Sequence, residues 1–313
     1  MSSKILITGG AGCLGSNLIE HFFPKGYDIC VIDNFETGKK EVLCEQDRLE
    51  IVEGSICDKS LVDKTFRDFQ PDYVIHSAAA YKDPDNWIED TSTNTLGTIH
   101  VALASKDHNV KRLVNFQTAL CYGRPSIIPI PVDHSSGPFT SYGISKTAGE
   151  QYLMNSGLPV VSFRLANICG PRLAIGPIPT FYKRLKAGQN CFCSNTIRDF
   201  LDMSDFLSLM ESTLTENSPL GIFNVSTGIG HSIHDVFIAV CDYLEMDPPE
   251  VPIVPVGEDD ISEVVLDPSK TEAAFEWKAE VDFKNTIRNQ LGWYEKYGIN
   301  DIFSHLSAPD ENS

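Results

Sequence analysis

Residues 4–16 read KILITGGAGCLGS, and this stretch decides the fold. The first five residues, Lys4 to Thr8, are mostly apolar, which is typical of a buried strand. Glycines follow at positions 9, 12 and 15, and apolar residues at helical spacing begin at Cys13. Glycine permits a tight turn and a close approach of the backbone to another group. The stretch therefore predicts a strand, a glycine-rich turn and a helix, in that order.

Short apolar runs alternate with helix-length amphipathic segments through the first half of the chain. Further strands are predicted at 27–33, 49–53, 72–76, 112–116 and 160–165. Helices are predicted at 59–69, 87–104 and 141–155. Alternating strands and helices connect by right-handed crossovers, so the strands lie parallel and helices cover both faces of the sheet. We predict an α/β fold with a Rossmann-type doubly wound parallel sheet.

The pattern changes after residue 168, where proline and glycine cluster at 170–171 and 176–179. Shorter elements follow, with helices predicted at 232–244 and 283–297. We interpret this part as a smaller C-terminal α/β lobe. The predicted division is a main domain at 1–168, with returns to its sheet around 197–236, and a smaller lobe at 169–196 and 237–313.

The chain of 313 residues is acidic, with 25 Lys and Arg against 43 Asp and Glu and a formal net charge of −18. It lacks the basic stripe of a general nucleic-acid binder, so we expect no nucleic-acid partner. No run approaches the ~20 apolar residues of a membrane span, and no signal-peptide core is visible. We therefore expect a cytoplasmic protein with no membrane partner.

Nine cysteines are scattered through apolar segments, and their number is odd. This distribution does not form a disulfide framework and favours small buried side chains in a reducing compartment. Cys191 and Cys193 form a C-x-C pair, but neither a second pair nor a nearby histidine completes a zinc site. We predict no bound metal.

The glycine-rich turn has the chemistry of a phosphate site. Gly9, Gly12 and Gly15 give the spacing G-x-x-G-x-x-G before a helix, whose first N–H groups and positive dipole end attract a pyrophosphate. Asp33 ends the second predicted strand, where its carboxylate can accept both hydroxyls of an adenosine ribose. The same carboxylate repels a 2′-phosphate, so the pattern favours NAD over NADP.

A Tyr-x-x-x-Lys pair opens the helix predicted at 141–155. The spacing of Tyr142 and Lys146 places the phenol and the ammonium on one helix face. A neighbouring cation stabilises the phenolate and is expected to lower the pKa of the tyrosine towards the working pH. Thr118 lies at the carboxyl end of the fifth predicted strand, where doubly wound sheets bind their ligands, so its hydroxyl can bond the oxygen that Tyr142 deprotonates.

Together these motifs resemble the extended short-chain dehydrogenase/reductase family, which includes NAD-dependent nucleotide-sugar epimerases and dehydratases. The resemblance covers essentially the whole chain, with further marks at 76–80, 167–172 and 198–205. Residues 80–87 and 117–123 are similar to sugar-nucleotide epimerases of bacterial lipopolysaccharide O-antigen clusters. The resemblance implies that the main domain binds NAD, that the smaller lobe binds a nucleotide sugar, and that the helices at 87–104 and 141–155 pair in a homodimer.

The resemblance also implies roles for individual residues. The cofactor residues would be Gly9, Gly12, Cys13, Leu14 and Gly15 at the phosphates, Asp33, Asn34, Phe35, Thr37 and Gly38 around the ribose, Ser55 and Ile56 beside adenine, and Ala78, Ala79, Ala80, Asn94, Tyr142 and Lys146 along the dinucleotide. The substrate residues would be Lys82, Thr118, Asn167, Arg172 and Arg198. Many family members bind the diphosphate with an arginine in the C-terminal lobe, but the corresponding residues 257–261 contain no cation. The candidates to bind a diphosphate instead are Lys82, Arg172, Lys183, Arg184 and Arg198.

The residues that follow Thr118 narrow the reaction. By the resemblance, a 4,6-dehydratase would have an acid and a base there and a 3,5-epimerase a cysteine two residues on, but the chain has Ala119 and Leu120. The remaining chemistry is oxidation at C4 of a UDP- or GDP-linked sugar. Return of the hydride to the other face of the ketone gives a 4-epimerase for surface polysaccharide synthesis, which is our prediction. A C4 dehydrogenase or ketoreductase stays open, and a dehydratase or a non-catalytic NAD-binding protein is less favoured.

Overall fold

The computed structural model describes residues 2–43, 47–81, 83–215, 217–257 and 260–299. The strands are β1 Lys4–Thr8, β2 Asp28–Asp33, β3 Leu49–Glu53, β4 Tyr73–His76, β5 Arg112–Thr118, β6 Val160–Leu165, β7 Asn167–Cys169, β8 Cys193–Ser194, β9 Ile197–Arg198, β10 Phe200–Asp202, β11 Gly221–Val225, β12 His231–Ser232, β13 Ile253–Val254 and β14 Glu263–Val264. The α-helices are α1 Cys13–Phe22, α2 Lys59–Phe69, α3 Trp87–Asp90, α4 Thr98–Asp107, α5 Ser141–Met154, α6 Pro177–Lys186, α7 Met203–Thr213, α8 Ile233–Tyr243, α9 Ser269–Phe275 and α10 Phe283–Tyr297.

Seven parallel strands form the central sheet of the described chain, in the order β11-β6-β5-β4-β1-β2-β3. The strand order reverses between β1 and β4, which pair with Thr8 beside His76. In doubly wound sheets, ligands bind outside the carboxyl ends of the strands at such a reversal. The predicted Rossmann-type α/β fold is therefore confirmed, and the glycine loop and residues 77–80 lie at the same edge of the sheet.

Helices cover the sheet on both faces because its strands are apolar on both sides. On one face, Leu18 of α1 and Phe206 of α7 belong to a single buried cluster. On the other face, Phe66 of α2, Val101 of α4 and Leu153 of α5 form a second cluster. These packed layers fix the ends of the strands, and with them the residues that follow each strand.

The smaller lobe has an apolar core of its own, in which Phe181 of α6, Phe237 of α8 and Leu291 of α10 are buried. Between α6 and α8 the chain returns to the main domain. There α7 contacts α1, and β11 pairs with β6. A further return is α9, whose Phe275 packs against Phe163 of β6 and Phe223 of β11. Residues 269–275 therefore pack on the main sheet, although the sequence pattern predicts them in the smaller lobe.

The segment predicted as one helix at 87–104 has three parts. Between α3 and α4 the residues Thr91–Gly97 form a π-helical turn. Such turns accommodate an extra residue in a helix and occur frequently at functional sites. Here the turn lies against α5, the helix that carries Tyr142 and Lys146.

Two features concern membranes and metals. Within the described ranges, no helix combines the length and the apolar character needed to cross a membrane. The same residues bring together no group of three or more metal-ligating side chains. Cys191 and Cys193 are buried in the apolar core of the smaller lobe.

Candidate active site

A cavity of about 370 Å³ opens at the carboxyl edge of the sheet, where the strand order reverses. The glycine loop, the strand ends after β2 and β3, and residues 77–81 line it together with β5, β6 and α5. Cavities of this size are typical of small-molecule sites. Of the residues that the sequence singles out, the cavity is lined by Gly9, Gly12, Cys13, Leu14, Asp33, Asn34, Thr37, Ser55, Ile56, Ala78, Ala79, Ala80, Thr118, Tyr142 and Lys146.

The glycine loop is shaped by contacts that exclude a side chain. Gly9 has a φ of +70°, and a Cβ built there would lie 2.7 Å from the backbone nitrogen of Ala78. A Cβ on Gly15 would lie 2.3 Å from the carbonyl oxygen of Gly9. The loop ends at Gly12, which begins α1 without a side-chain cap. The first N–H groups of α1 are therefore free of a capping side chain at the cavity wall, as a bound phosphate requires.

Asp33 lines the cavity and organises two backbone segments around it. Its Oδ2 accepts a hydrogen bond from the N–H of Ala11 at 2.8 Å, and its Oδ1 accepts one from the N–H of Phe35 at 2.8 Å. Phe35 has a φ of +56°, so the backbone turns sharply just after β2. A carboxylate held in this way presents its remaining lone pairs at a fixed position, which suits two ribose hydroxyls.

Thr118, Tyr142 and Lys146 come from two elements that meet at the other end of the cavity. Thr118 ends β5, and its Oγ accepts a hydrogen bond from the N–H of Leu120 at 3.2 Å. Its hydroxyl proton therefore remains available to a ligand. Tyr142 and Lys146 lie in the first two turns of α5, which begins after Thr140, whose Oγ accepts the N–H of Gly143.

Burial dominates the electrostatics of the Tyr–Lys pair. It raises the pKa of Tyr142 well above its ordinary value, and the Tyr81 phenol and the Asp90 carboxylate raise it further. The sequence predicts instead that Lys146 lowers the pKa of Tyr142. The pKa is raised because the protein surroundings of the phenol are apolar and acidic. Burial also lowers the pKa of Lys146 to about 8, against the opposing effect of the Glu150 carboxylate. At neutral pH the ammonium is therefore still charged.

A directed chain of hydrogen bonds runs behind the cavity through His76. Thr98 Oγ donates to the carbonyl of Asn94 at 2.7 Å, so it must accept from His76 Nε2, 2.8 Å away. His76 Nδ1 must then accept from Thr8 Oγ at 2.8 Å, and Thr8 Oγ in turn accepts the N–H of Ala78 at 3.3 Å. The tautomer follows from these partners. Burial, with a smaller effect of Lys146, lowers the pKa of His76 to about 3, so the ring is neutral.

Asn94 extends this chain from the π-turn to the catalytic helix. Its side chain accepts the N–H of Ala80 at 2.9 Å and donates to the Ala80 carbonyl at 2.8 Å and to Ser145 Oγ at 3.0 Å. Asn94 therefore lies behind the cavity wall and supports residues that line it. The sequence predicts no role for His76 or Ser145, although His76 begins one of the stretches that carry the family resemblance and Ser145 precedes Lys146.

Several predicted site residues lie away from the cavity. Gly15, Phe35 and Gly38 pack behind the loops that line it, and the predicted contact residue Lys82 lies outside the described residues. Three predicted substrate residues do not line the cavity and have protein partners: Asn167 donates to the Asp199 carbonyl at 2.9 Å, Arg172 forms a two-point ion pair with Glu20, and Arg198 pairs with Asp260 at 2.7 Å. On α6, Arg184 donates to the carbonyl of Asn190 at 2.6 Å and Lys183 is exposed. Their roles in substrate binding stay predictions.

Known proteins are similar to this chain in sequence and fold. The model of the NAD dependent epimerase/dehydratase family matches residues 5–226. The Bordetella bronchiseptica enzyme WbmG, crystallised in complex with NAD and with NAD and UDP, is 64% identical, with 98% of each chain covered and a TM-score of 0.93. UDP-glucose 4-epimerase of Thermotoga maritima, crystallised with UDP-glucose, is 26% identical, with 94% of this chain and 99% of that chain covered and a TM-score of 0.87. UDP-arabinose 4-epimerase 1 of Arabidopsis thaliana is 26% identical over 93% of this chain and 79% of that protein.

Proposed function

The chain belongs to the NAD dependent epimerase/dehydratase family, and we propose that it is an NAD-dependent 4-epimerase of nucleotide-linked sugars. The predicted family and NAD dependence are thereby confirmed. The observation that carries the proposed reaction is the meeting of Thr118, Tyr142 and Lys146 with the glycine loop and Asp33 in one cavity. This arrangement brings a proton acceptor for a sugar hydroxyl next to a dinucleotide site.

The residues of the cavity fit NAD. The uncapped start of α1 would hold the pyrophosphate, and Gly9 and Gly12, which line the cavity, have no side chain to obstruct it. Asp33 would accept the ribose hydroxyls, and its charge disfavours a 2′-phosphate. Ser55 and Ile56, which follow β3 and line the cavity, would flank the adenine.

The protein contributes proton transfer and orientation at C4. When bound, NAD would accept the hydride of C4 and would supply a positive charge that favours the phenolate. The Lys146 ammonium stabilises the Tyr142 phenolate, which takes the proton of the C4 hydroxyl as general base and becomes the neutral phenol. The Thr118 hydroxyl donates a hydrogen bond to the same substrate oxygen. After the 4-ketone has turned its other face, return of the hydride to C4 and of the Tyr142 proton to the oxygen would give the C4 epimer.

The surroundings of Thr118 support simple C4 chemistry. Ala119 and Leu120 belong to an apolar cluster, so neither supplies an acid or a base. The cavity lining also includes the apolar residues Phe116, Leu165 and Ile168. Removal of water from C5 and C6 needs a further acid–base pair, which disfavours a dehydratase.

A UDP-linked sugar is the substrate that we favour over a GDP-linked one. WbmG, at 64% identity, binds UDP in its crystal structure, and both epimerases named above act on UDP-sugars. Asn167 and Arg198 lie on β7 and β9, on the side of the smaller lobe. In this proposal the smaller lobe built around α6, α8 and α10 holds the nucleotide, and the main domain holds NAD.

The wider setting is part of the same proposal. We place the enzyme in the cytoplasm, in the synthesis of surface polysaccharide, and as a homodimer. Support for the dimer comes from four exposed apolar side chains on the π-turn, α4 and α5, namely Leu96, Leu103, Ile144 and Tyr152. A second copy that pairs these helices would cover them.

Incubation of the purified enzyme with UDP-galactose-type and UDP-glucose-type sugars, with GDP-sugars for comparison, tests the proposal. We expect the C4 configuration to change without net NADH, as followed by proton NMR and absorbance. Tyr142→Phe should lower kcat by about 100-fold or more because the general base is lost. The matched control is Tyr297→Phe, which changes an exposed tyrosine at the end of α10 that does not line the cavity.

Two results would contradict the proposal. Stoichiometric NADH without epimer would favour the alternative, a C4 dehydrogenase or ketoreductase, which uses the same three residues. Unchanged turnover in Tyr142→Phe would exclude the proposed role of this residue in either reaction.

A further inference from the structure

Gln117 lies between the two elements that carry the predicted catalytic residues. Its side-chain Nε2 donates to the carbonyl oxygen of Lys146 at 3.0 Å, and its Oε1 accepts the backbone N–H of Thr118 at 2.7 Å. The partners fix the orientation of the amide, because a carbonyl can only accept and an N–H can only donate. Gln117 is 2% exposed, so water does not compete for either bond.

The two bonds link backbone atoms of residues that are remote in the sequence. Thr118 ends β5 and Lys146 lies in α5, and one planar amide spans the gap between them. The same turn of α5 is held from the π-turn by Asn94, which bonds Ser145 Oγ, and by Thr95, which bonds the Ser145 carbonyl at 2.9 Å. β5 is thus joined to the catalytic turn through Gln117, while Asn94 and Thr95 secure the opposite side of that turn.

We propose that Gln117 is a positioning residue for the C4 chemistry, which sets the separation between the Thr118 hydroxyl and the Tyr142–Lys146 pair through its two-ended amide. The inference rests on the proposed function, because it requires that these three side chains act on one substrate oxygen. Gln117 itself need not touch that oxygen. The other interpretation is a buried side chain that only fills space, and a leucine of similar volume would do that equally well.

The chemistry of the amide provides a sharp test. In Gln117→Leu both bonds are absent at every pH. In Gln117→Glu a protonated carboxyl can still accept from Thr118 and donate to the Lys146 carbonyl, whereas an ionised carboxylate can only accept. The carboxylate would then face the carbonyl dipole of Lys146, and the link to α5 would be lost.

The charge state of the introduced carboxyl depends on its neighbours. The titratable and charged groups around this part of β5 are, on α5, Tyr142, Lys146 and Glu150, on β6, Arg164, and, on β4, His76. Burial raises the pKa of a carboxyl, and the Lys146 ammonium acts in the opposite direction. Arg164 is already paired with Glu150 at 2.7 Å, so these two charges largely cancel.

The experiment compares kcat and KM of the NAD-loaded wild type, Gln117→Leu and Gln117→Glu across the pH range in which all three remain folded by circular dichroism. We expect kcat of Gln117→Leu to fall by about 10- to 100-fold with little change in KM, because misplaced groups lose transition-state interactions first. Gln117→Glu should approach the wild-type kcat at low pH and fall towards that of Gln117→Leu as the pH rises. This pH-dependent ratio is not expected from loss of packing.

The outcomes separate the inference from the proposed function. A wild type that turns over no nucleotide sugar would contradict the proposed function. If the wild type is active, either of two results would overturn the positioning role. One is an unchanged kcat in Gln117→Leu, and the other is a kcat deficit of Gln117→Glu that is the same at every pH. Should Gln117→Leu fail to fold, the pH dependence of Gln117→Glu decides alone.

Discussion

Lys146 shows how a single functional side chain opposes the stability of the fold. Its ammonium is buried beside a neutral His76 ring, and burial lowers its pKa to about 8. A base whose pKa is lower in the folded than in the unfolded state destabilises the folded protein while it is charged. The charge is retained because the proposed mechanism needs a cation beside the Tyr142 phenolate.

Lys146→Met should therefore stabilise the NAD-free protein while abolishing activity. The penalty of the buried charge is complete below pH 8 and disappears as the pH rises to about 10.5, where the unfolded lysine also loses its proton. We expect a gain in the free energy of unfolding of up to about 3 kcal/mol at pH 7, which shrinks above pH 8. Urea unfolding at several pH values measures it.

The control for this change is Lys284→Met on the exposed face of α10. It removes an equal charge from water and should leave the free energy of unfolding within about 0.5 kcal/mol of the wild type. Equal effects of the two substitutions at pH 7 would show that the burial of Lys146 has no energetic cost.

At the scale of elements, the packing of α5 on the π-turn decides the geometry of the site. Gly149 lies at the crossing, where a Cβ would be 2.4 Å from the carbonyl oxygen of Asn94. This close approach lets the side chain of Asn94 reach Ser145 on one side and Ala80 on the other. The π-turn therefore connects the cofactor end of the cavity to the catalytic helix.

Gly149→Ala should destabilise the protein although alanine is the better helix former. The new methyl group would push the Asn94 carbonyl away, and overpacking of this kind costs roughly 1–3 kcal/mol. The matched control is Gly292→Ala in α10, where a Cβ meets only the Tyr243 hydroxyl at 3.9 Å. There we expect a gain of about 0.5–1 kcal/mol from helix propensity. Thermal unfolding of both variants measures the difference. Equal shifts of the melting temperature would contradict the proposed close contact between α5 and the π-turn at Gly149.

At the scale of the whole molecule, the cavity lies between a rigid sheet and a smaller lobe that the chain enters and leaves more than once. β11 and α9 return to the main domain, while α6, α8 and α10 enclose the core of the lobe. These repeated crossings tie the two parts together. Leu103, Ile144 and Tyr152, which are exposed on α4 and α5, do not line the cavity, so an interface between copies through them would leave its lining free.

Leu103→Arg should convert the proposed homodimer to a monomer, because a buried unpaired charge is costly at an interface. Leu103 is 47% exposed in the single chain. The control is Ile229→Arg, which changes a residue that is 60% exposed in a loop away from these helices. Sedimentation equilibrium should give half the mass for the first variant and the wild-type mass for the second. A monomeric wild type would contradict the proposal.

Local patterns explain most of what could be predicted. The strands at 49–53 and 160–165 and the helices at 59–69 and 283–297 have the bounds that the sequence predicts, because each depends on a backbone periodicity within a few residues. The π-turn at 91–97 was not predictable in this way, since its wide turn is stabilised by contacts with α5.

The sequence by itself determined the doubly wound fold, the NAD-type loop with Asp33, and the Tyr142–Lys146 pair, because spacing along one strand or helix sets each of them. Only the tertiary structure decided which groups meet across elements. In the folded chain Arg172 forms an ion pair with Glu20, and the hydrogen-bond partners of His76 determine its tautomer. The side-chain amide of Gln117 lies between Thr118 and Lys146. Such contacts join residues far apart in the chain, so they depend on how the layers pack and leave no periodic signal.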